Sequence, residues 1–159
     1  MVVLAILGLL TGTVALSLPP GEPDLVDEAA RLAARIERAG EESIVSGERL
    51  GLRVDPGQYS FWYQRRGQWL PLSRDRFYAP QPWQPGTRAA FLEIDAWFDL
   101  EDRGDRGDRR ATPPPVRFDP AGMQTPFTLH LARNGNDLYV IGTATGRVQI
   151  ARTPLAELD

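Results

Sequence analysis

The residue types that could do chemistry are few and scattered along this chain. Its one histidine, His130, alternates with Phe127, Leu129 and Leu131. On a strand, alternation sends it to the face opposite those apolar side chains, and no second histidine is available to share a metal. Glu93 and Asp95 stand two residues apart, roughly 7 Å on a strand, a spacing that suits the paired carboxylates of glycoside hydrolysis. An outward polar face accounts for them better. Asp99, Glu101, Asp102 and Asp105 offer oxygens to calcium, but the interspersed arginines work against a cation there. The same run holds Arg-Gly-Asp twice, from Arg103 and Arg106, and reads as solvated charge. Trp62, Trp69, Trp83 and Trp97 could line a ligand groove, yet each lies in or beside a strand, where such rings pack into cores and interfaces. No serine sits in a G-x-S-x-G elbow, and there is no phosphate loop and no G-x-G-x-x-G. With no cysteine, disulfides, thiolate zinc sites and cysteine nucleophiles are excluded together. No catalytic residue, metal site or cofactor is assigned, which points to a structural or interaction role.

The 159 residues are enough for one domain. Apolar residues at 42% and charged residues at 25% are ordinary for a soluble fold. A net charge of −3 argues against a nucleic-acid partner, whose recognition rests on clustered cations. All 18 basic residues are arginine.

The apolar residues are unevenly spread. Residues 1–18, MVVLAILGLLTGTVALSL, carry no charge. As a helix they would span about 27 Å, close to the ~30 Å hydrocarbon core of a bilayer. Their Val, Leu and Ile side chains favour insertion by roughly 3–6 kcal/mol in sum. Pro19, Pro20, Gly21 and Pro23 then break the helix. A cleaved signal peptide would need a cationic start, which is missing, although Ala15-Leu16-Ser17 is a tolerable cleavage site. A single membrane anchor fits best, and the lack of cysteine excludes a lipoprotein anchor.

Residues 19–159 form the second unit, with a helix over about 24–46 and strands over about 50–152. Asp24 is placed to N-cap the helix, with Asp27 and Glu28 in its first turn. Leu25, Ala29, Leu32, Ile36 and Ser43, flanked by Val26, Ala33 and Ile44, make one apolar stripe that ends at Gly47. From Leu50 the period changes to 2. Leu50, Leu52 and Val54 alternate with polar residues or glycine, and Pro56-Gly57 suits a type II turn. Tyr59, Phe61 and Tyr63 share a face, with Trp62 opposite. Arg66-Gly67 turns into Trp69–Leu72, and the proline-rich run 79–86 reads as loop. Ala90, Leu92, Ile94 and Phe98 share the face of another strand. Phe127, Leu129 and Leu131 lead through Asn134-Gly135-Asn136 to Leu138–Thr143, then through Thr145-Gly146 to Arg147–Ala151, an antiparallel meander. The run 99–115, rich in charge, glycine and proline, is expected to be a mobile loop. One helix followed by short strands predicts an α+β fold, with the helix stripe covering one antiparallel sheet or sandwich.

An apolar N-terminal helix, a helical continuation and a β domain together resemble the type IV pilin-like proteins, and Val2–Leu10 resembles their stem. The stretch Glu48–Val54, then Tyr59-Ser60-Phe61 and Trp69-Leu70-Pro71-Leu72, resembles the H-type minor pseudopilins of type II secretion systems (general secretion pathway protein H, or the FimT-like pilin family). So does Val116–Gly122 followed by Thr125–Leu129. Members of that family carry a basic leader ending in glycine, then a phenylalanine that is N-methylated after cleavage, and a glutamate at the fifth mature position. Those residues are not found before Val2, and translation is expected to begin upstream.

The resemblance implies a structural, non-enzymatic subunit of the pseudopilus tip. It would be anchored once in the bacterial inner membrane, with its C-terminal domain in the periplasm. Its partners would be other minor pseudopilins, the major pseudopilin and secreted protein substrates, with no nucleic acid. Membrane and filament packing falls to Val3, Leu4, Ile6, Leu7, Gly8, Leu10, Gly12 and Val14, whose small members permit close helix approach. Two alternatives stand beside it. One is a minor pilin of a type IV pilus, serving adhesion or DNA uptake, although the terminal residues Leu155–Asp159 are acidic. The other is a secreted periplasmic β domain whose tryptophans bind a small ligand.

Overall fold

The computed structural model describes residues 24–73, 75–95 and 112–154. The apolar segment 1–18, its packing candidates from Val3 to Val14, Trp97, Phe98 and the acidic residues from Asp99 to Asp105 lie outside these residues.

One helix, α1 (Leu25–Ser46), leads into nine strands among the described residues. These are β1 (Leu50–Val54), β2 (Gln58–Arg65), β3 (Gln68–Pro71), β4 (Gln81–Pro82), β5 (Arg88–Ile94), β6 (Val116–Phe118), β7 (Phe127–Arg133), β8 (Asn136–Gly142) and β9 (Val148–Ala151). They build two antiparallel sheets rather than one. The first runs β3-β2-β1-β6, with β4 also paired to β2, and the second runs β5-β7-β8-β9. The chain leaves the first sheet for β5, returns for β6, and crosses again for the β7–β9 meander.

The helix stripe buries Leu25, Ala29, Leu32, Ile36, Ala39 and Ser43. It packs against β1 and β6 of the first sheet and β7, β8 and β9 of the second. It therefore bridges both sheets, where the pattern predicted a cover for one. Leu32 and Ile36 are fully buried, each contributing about 1.5–3 kcal/mol by leaving water. Val26 and Ile44, expected to flank the stripe, are exposed. The stripe instead widens toward Glu28 and Ala39. Asp24 occupies the N-cap position without a side-chain cap bond. Only its carbonyl takes part, accepting from the Glu28 N–H at 3.0 Å. The helix ends where expected, at Gly47 with φ 69°. A left-handed residue there lets the chain turn off the helix at little cost.

In β1 and β2, Leu50, Leu52, Tyr59, Phe61 and Tyr63 face the core as the alternation requires. Gly57 lacks the positive φ of a type II turn. The β1–β2 hairpin is closed by Asp55 N–H donating to Gln58 O at 2.8 Å, while Asp55 O accepts from the Trp83 indole at 2.9 Å. The run 79–86 is thus more than loop: it carries β4 and buries Trp83 against Tyr59, ring centroids 4.9 Å apart. In β5 the expected face is reversed. Ala89 and Phe91 turn inward, while Ala90 and Leu92 point to solvent. A bulge between Phe91 and Glu93 then brings Ile94 back to the inner face. The β7–β8–β9 meander forms as predicted, with Phe127, Leu129, Leu131, Leu138 and Val140 in the core.

The end of the 99–115 run also departs from expectation. Pro114 is buried, and it lies over Gly51, where a Cβ would meet its Cγ at 2.6 Å. Arg53 donates to Thr112 O, and Arg117 Nε donates to Pro114 O at 3.3 Å. Residues 112–115 are strapped across the outer face of the first sheet; residues 99–111 lie outside the described residues.

Candidate functional site

Two features of the helix–sheet junction bear on function. The first is a buried polar cluster at the N-terminal end of α1. Glu28 is 8% exposed although it is charged. Its Oε1 accepts from the Gln84 N–H at 2.8 Å, and its Oε2 accepts from Thr87 Oγ1 at 2.8 Å and from Arg133 Nη1 at 3.4 Å. One helical carboxylate is thereby tied to the segment entering β5 and to the end of β7. Buried charges persist only with such partners. The sequence did carry a signal for this: Glu28 lies three residues after Leu25 and four before Leu32, inside the apolar stripe. Its place beside Asp27 in the first turn masks that signal.

The second feature is a groove of about 570 Å³ between the C-terminal half of α1 and two turns, β6–β7 and β8–β9. Glu37, Glu41 and Ile44 line it from α1, Asp119, Gly122 and Met123 from the β6–β7 turn, and Thr145 and Arg147 from the β8–β9 turn. The β6–β7 turn is built by Asp119, whose Oδ1 accepts from the Ala121 N–H at 2.9 Å, and by Gly122 at φ 86°. Asp119 Oδ2 also accepts from Arg49 Nε at 3.2 Å. Gln124 also borders the groove, but its carboxamide is turned into the interior beside Gly142. It is 1% exposed, yet neither its Oε1 nor its Nε2 has a hydrogen-bond partner. Each unpaired buried group of that kind costs roughly 1–3 kcal/mol. Gly142 makes the room, since a Cβ there would lie 2.8 Å from Gln124 Nε2. No sequence signal marks Gln124, which sits in an irregular connection between sheets.

The candidates weighed from sequence do not come together. His130 Nε2 lies 2.7 Å from Asp137 Oδ1, and its ring stacks on Tyr139 with centroids 5.0 Å apart. It is a satisfied imidazole on the outer face of the second sheet, as its alternation required. Glu93 and Asp95 are both exposed, and Asp95 lies beyond the end of β5, its N–H donating to Pro126 O at 3.0 Å. Trp69 and Trp83 are buried. Trp62 is half-buried, its indole donating to Ser60 Oγ at 2.9 Å and its ring 4.3 Å beneath the Arg53 guanidinium. These three rings pack the fold rather than line a shared opening. Among the described residues no group of three or more His, Cys, Asp or Glu is placed to hold a metal ion, and no helix among them is long and apolar enough to cross a membrane.

Comparison with known proteins adds the ancestry of this arrangement. The family model described as Type II transport protein GspH matches residues 28–146, from the buried glutamate through the β8–β9 turn. A protein of Pectobacterium carotovorum subsp. carotovorum named Type II secretion system protein H is 31% identical over 145 residues, covering 81% of this chain and 75% of that one. The protein of the same name from Aeromonas hydrophila is 26% identical over 151 residues, with 90% of this chain and 82% of that one covered. Among solved structures, the minor pseudopilin EpsH of Vibrio cholerae superposes with a TM-score of 0.60 at 21% identity, over 77% of this chain and 92% of that one. The solution structure of E. coli GspH gives 0.58 at 19% identity, over 83% and 94%. These structures share the helix-on-two-sheets fold. The residues matched by the family model take in most of the chain, and with them the protein belongs to the GspH family of type II transport proteins.

Proposed function

We propose that this protein is a minor pseudopilin of a type II secretion system, a structural part of the pseudopilus tip that helps drive folded proteins out across the outer membrane. The observation that carries this reading is the union of α1 with both sheets. A subunit that transmits the movement of a filament must not let its head swing on its stem. Here one face of α1 is buried against five strands, and Glu28 pins its first turns to β7. A displacement along the helix axis therefore moves the two sheets as one body.

In this reading residues 1–18 hold the chain in the inner membrane and then pack beside neighbouring stems, through Val3, Leu4, Ile6, Leu7, Gly8, Leu10, Gly12 and Val14. The β domain stands in the periplasm. Its partners are other minor pseudopilins and the major pseudopilin, and it does no catalysis. The test is co-expression of the tagged full chain with I-, J- and K-type minor pseudopilins, followed by detergent extraction and affinity purification. Co-purification with at least one of them is expected. Failure with all three, with the chain folded and in the membrane fraction, overturns the reading.

A further inference from the structure

The outward face of α1 carries its charge in two separated rows. We propose that this face pairs with the same face of a second copy of the chain, the two helices parallel and in register, with the arginine row of each against the glutamate row of the other.

Arg31, Arg35 and Arg38 recur at i, i+4 and i+7 and share one flank of the helix. That flank adjoins the first sheet. The Arg35 guanidinium lies 5.2 Å from the Phe77 ring centre, Arg31 and Arg35 act on the Tyr59 hydroxyl, and Arg38 acts on that of Tyr78. Glu37 and Glu41, at i and i+4, share the other flank. Both border the β8–β9 turn of the second sheet, and Glu37 Oε1 accepts weakly from the Val148 N–H at 3.4 Å. Asp27 and Glu42 stand at the two ends of the arginine row. Among the described residues Arg31, Arg38, Glu37 and Glu41 make no ion pair, and the i,i+4 pairs Asp27–Arg31 and Arg38–Glu42 stay open. Between the rows runs an exposed ridge through Ala30, Ala34 and Val45, the last 83% exposed. The alanines leave room for another helix to come close. Both sheets lie behind this ridge, since the opposite face of α1 packs on five strands. Two copies therefore meet here with their sheets on the outside.

The charge selects both the occupant and its direction. A partner surface of one sign would satisfy only one row, whereas α1 itself offers both at the same height. A twofold axis along the helices sets each arginine row against the partner's glutamate row on both sides of the contact. In register, Arg38 falls within about 5 Å of Glu37 and Glu41 along the axis, and Arg35 within about 3 Å of Glu37, at ~1.5 Å per residue. Turning one helix end for end sets arginine against arginine and glutamate against glutamate, which repels. Exposed pairs contribute little individually, so the contact is weak and salt-sensitive, and the charges fix its direction more than its strength.

The inference stands apart from the pseudopilin reading. It needs no other subunit, so failure to co-purify with I-, J- and K-type proteins leaves it untouched, and failure of the test below leaves that reading untouched. The chain has no cysteine, so a single introduced one reports which positions meet. Ala30→Cys and Val45→Cys, about 22 Å apart along the helix, are each made alone in the full chain, held in detergent micelles and oxidised with copper phenanthroline at low salt. Each is expected to form a disulfide-linked homodimer severalfold faster than Gln149→Cys, an exposed position on β9. Arg38→Glu should slow linking at Ala30→Cys by roughly three- to tenfold, and adding Glu41→Arg should restore most of it. Circular dichroism of each variant separates lost pairing from lost helix. Three results overturn the proposal: linking at either position no faster than at Gln149→Cys, linking only in a mixture of the two variants, or a rate indifferent to Arg38→Glu in a chain of unchanged helix content. The second would make the helices antiparallel.

Discussion

Glu28 Oε2 on α1 lies 3.4 Å from Arg133 Nη1 at the end of β7, with both side chains about nine-tenths buried. Removing Glu28 takes away the carboxylate that compensates the buried Arg133 guanidinium, which keeps its bond to Thr87 Oγ1 at 3.4 Å, at a cost of up to about 3–5 kcal/mol. Glu28→Ala also orphans the Gln84 N–H and the Thr87 hydroxyl. Urea unfolding of the detergent-solubilised chain should show that loss for Glu28→Ala. The Glu28→Leu/Arg133→Met double variant should recover part of it. A loss below ~1 kcal/mol would mean that water already reaches the pair.

Much of this architecture is legible in the residue pattern, and the failures have physical causes. The helix from Leu25 to Gly47 and the β7–β9 meander follow from local periodicity and turn chemistry, which depend only on neighbours in the chain. The division into two sheets does not, because it is decided by β6 pairing with β1 across more than sixty residues of sequence. Strict alternation puts Leu92 on the wrong face because a bulge shifts the period by one residue, and alternation cannot reveal an insertion. The groove was invisible for a related reason. Glu41, Asp119 and Gln124 come from a helix and an inter-sheet turn and meet only in the folded chain.

Gly51 is a glycine because Pro114 lies on it. A Cβ at this position would stand 2.6 and 2.7 Å from Pro114 Cγ and Cβ and 3.2 Å from Trp69 Cζ3. Neither ring yields by a small rotation, so Gly51→Ala should cost roughly 1–3 kcal/mol by overpacking. Adding Pro114→Gly should relieve part of that penalty. Chemical denaturation of the single and double variants checks this, and strict additivity would show that the strap does not touch β1.

The two tight hairpins make a matched pair. Arg66-Gly67 has φ of 51° and 73°, and Asn134-Gly135 has φ of 51° and 78°, in both cases the two consecutive positive values of a type I′ turn. Asparagine tolerates that conformation and arginine does not, the difference being up to ~1 kcal/mol. Arg66→Asn should therefore raise the unfolding midpoint, and Asn134→Arg should lower it by a similar amount. A calorimetric scan in which both changes act in the same direction would contradict this account.

The alkaline limit of stability should be set by tyrosine. The chain has no lysine and no cysteine but four tyrosines, so few other groups titrate between about pH 9 and 12. Burial pushes the Tyr59 hydroxyl above its ordinary value of 10.0, with Arg35 opposing and Glu28 adding to the rise. Burial does the same to Tyr78, helped by Glu42 and opposed by Arg38. Below pH 10.0 both phenols are protonated in the folded and the unfolded chain, and this contribution to stability is fully present. Above it the unfolded chain releases protons that the folded chain retains, so stability falls as pH climbs toward the folded values. The Tyr59→Phe/Tyr78→Phe variant should show a flatter decline in urea midpoint from about pH 9 to 11 than the parent chain. An unchanged slope would assign the alkaline loss to groups other than these two rings.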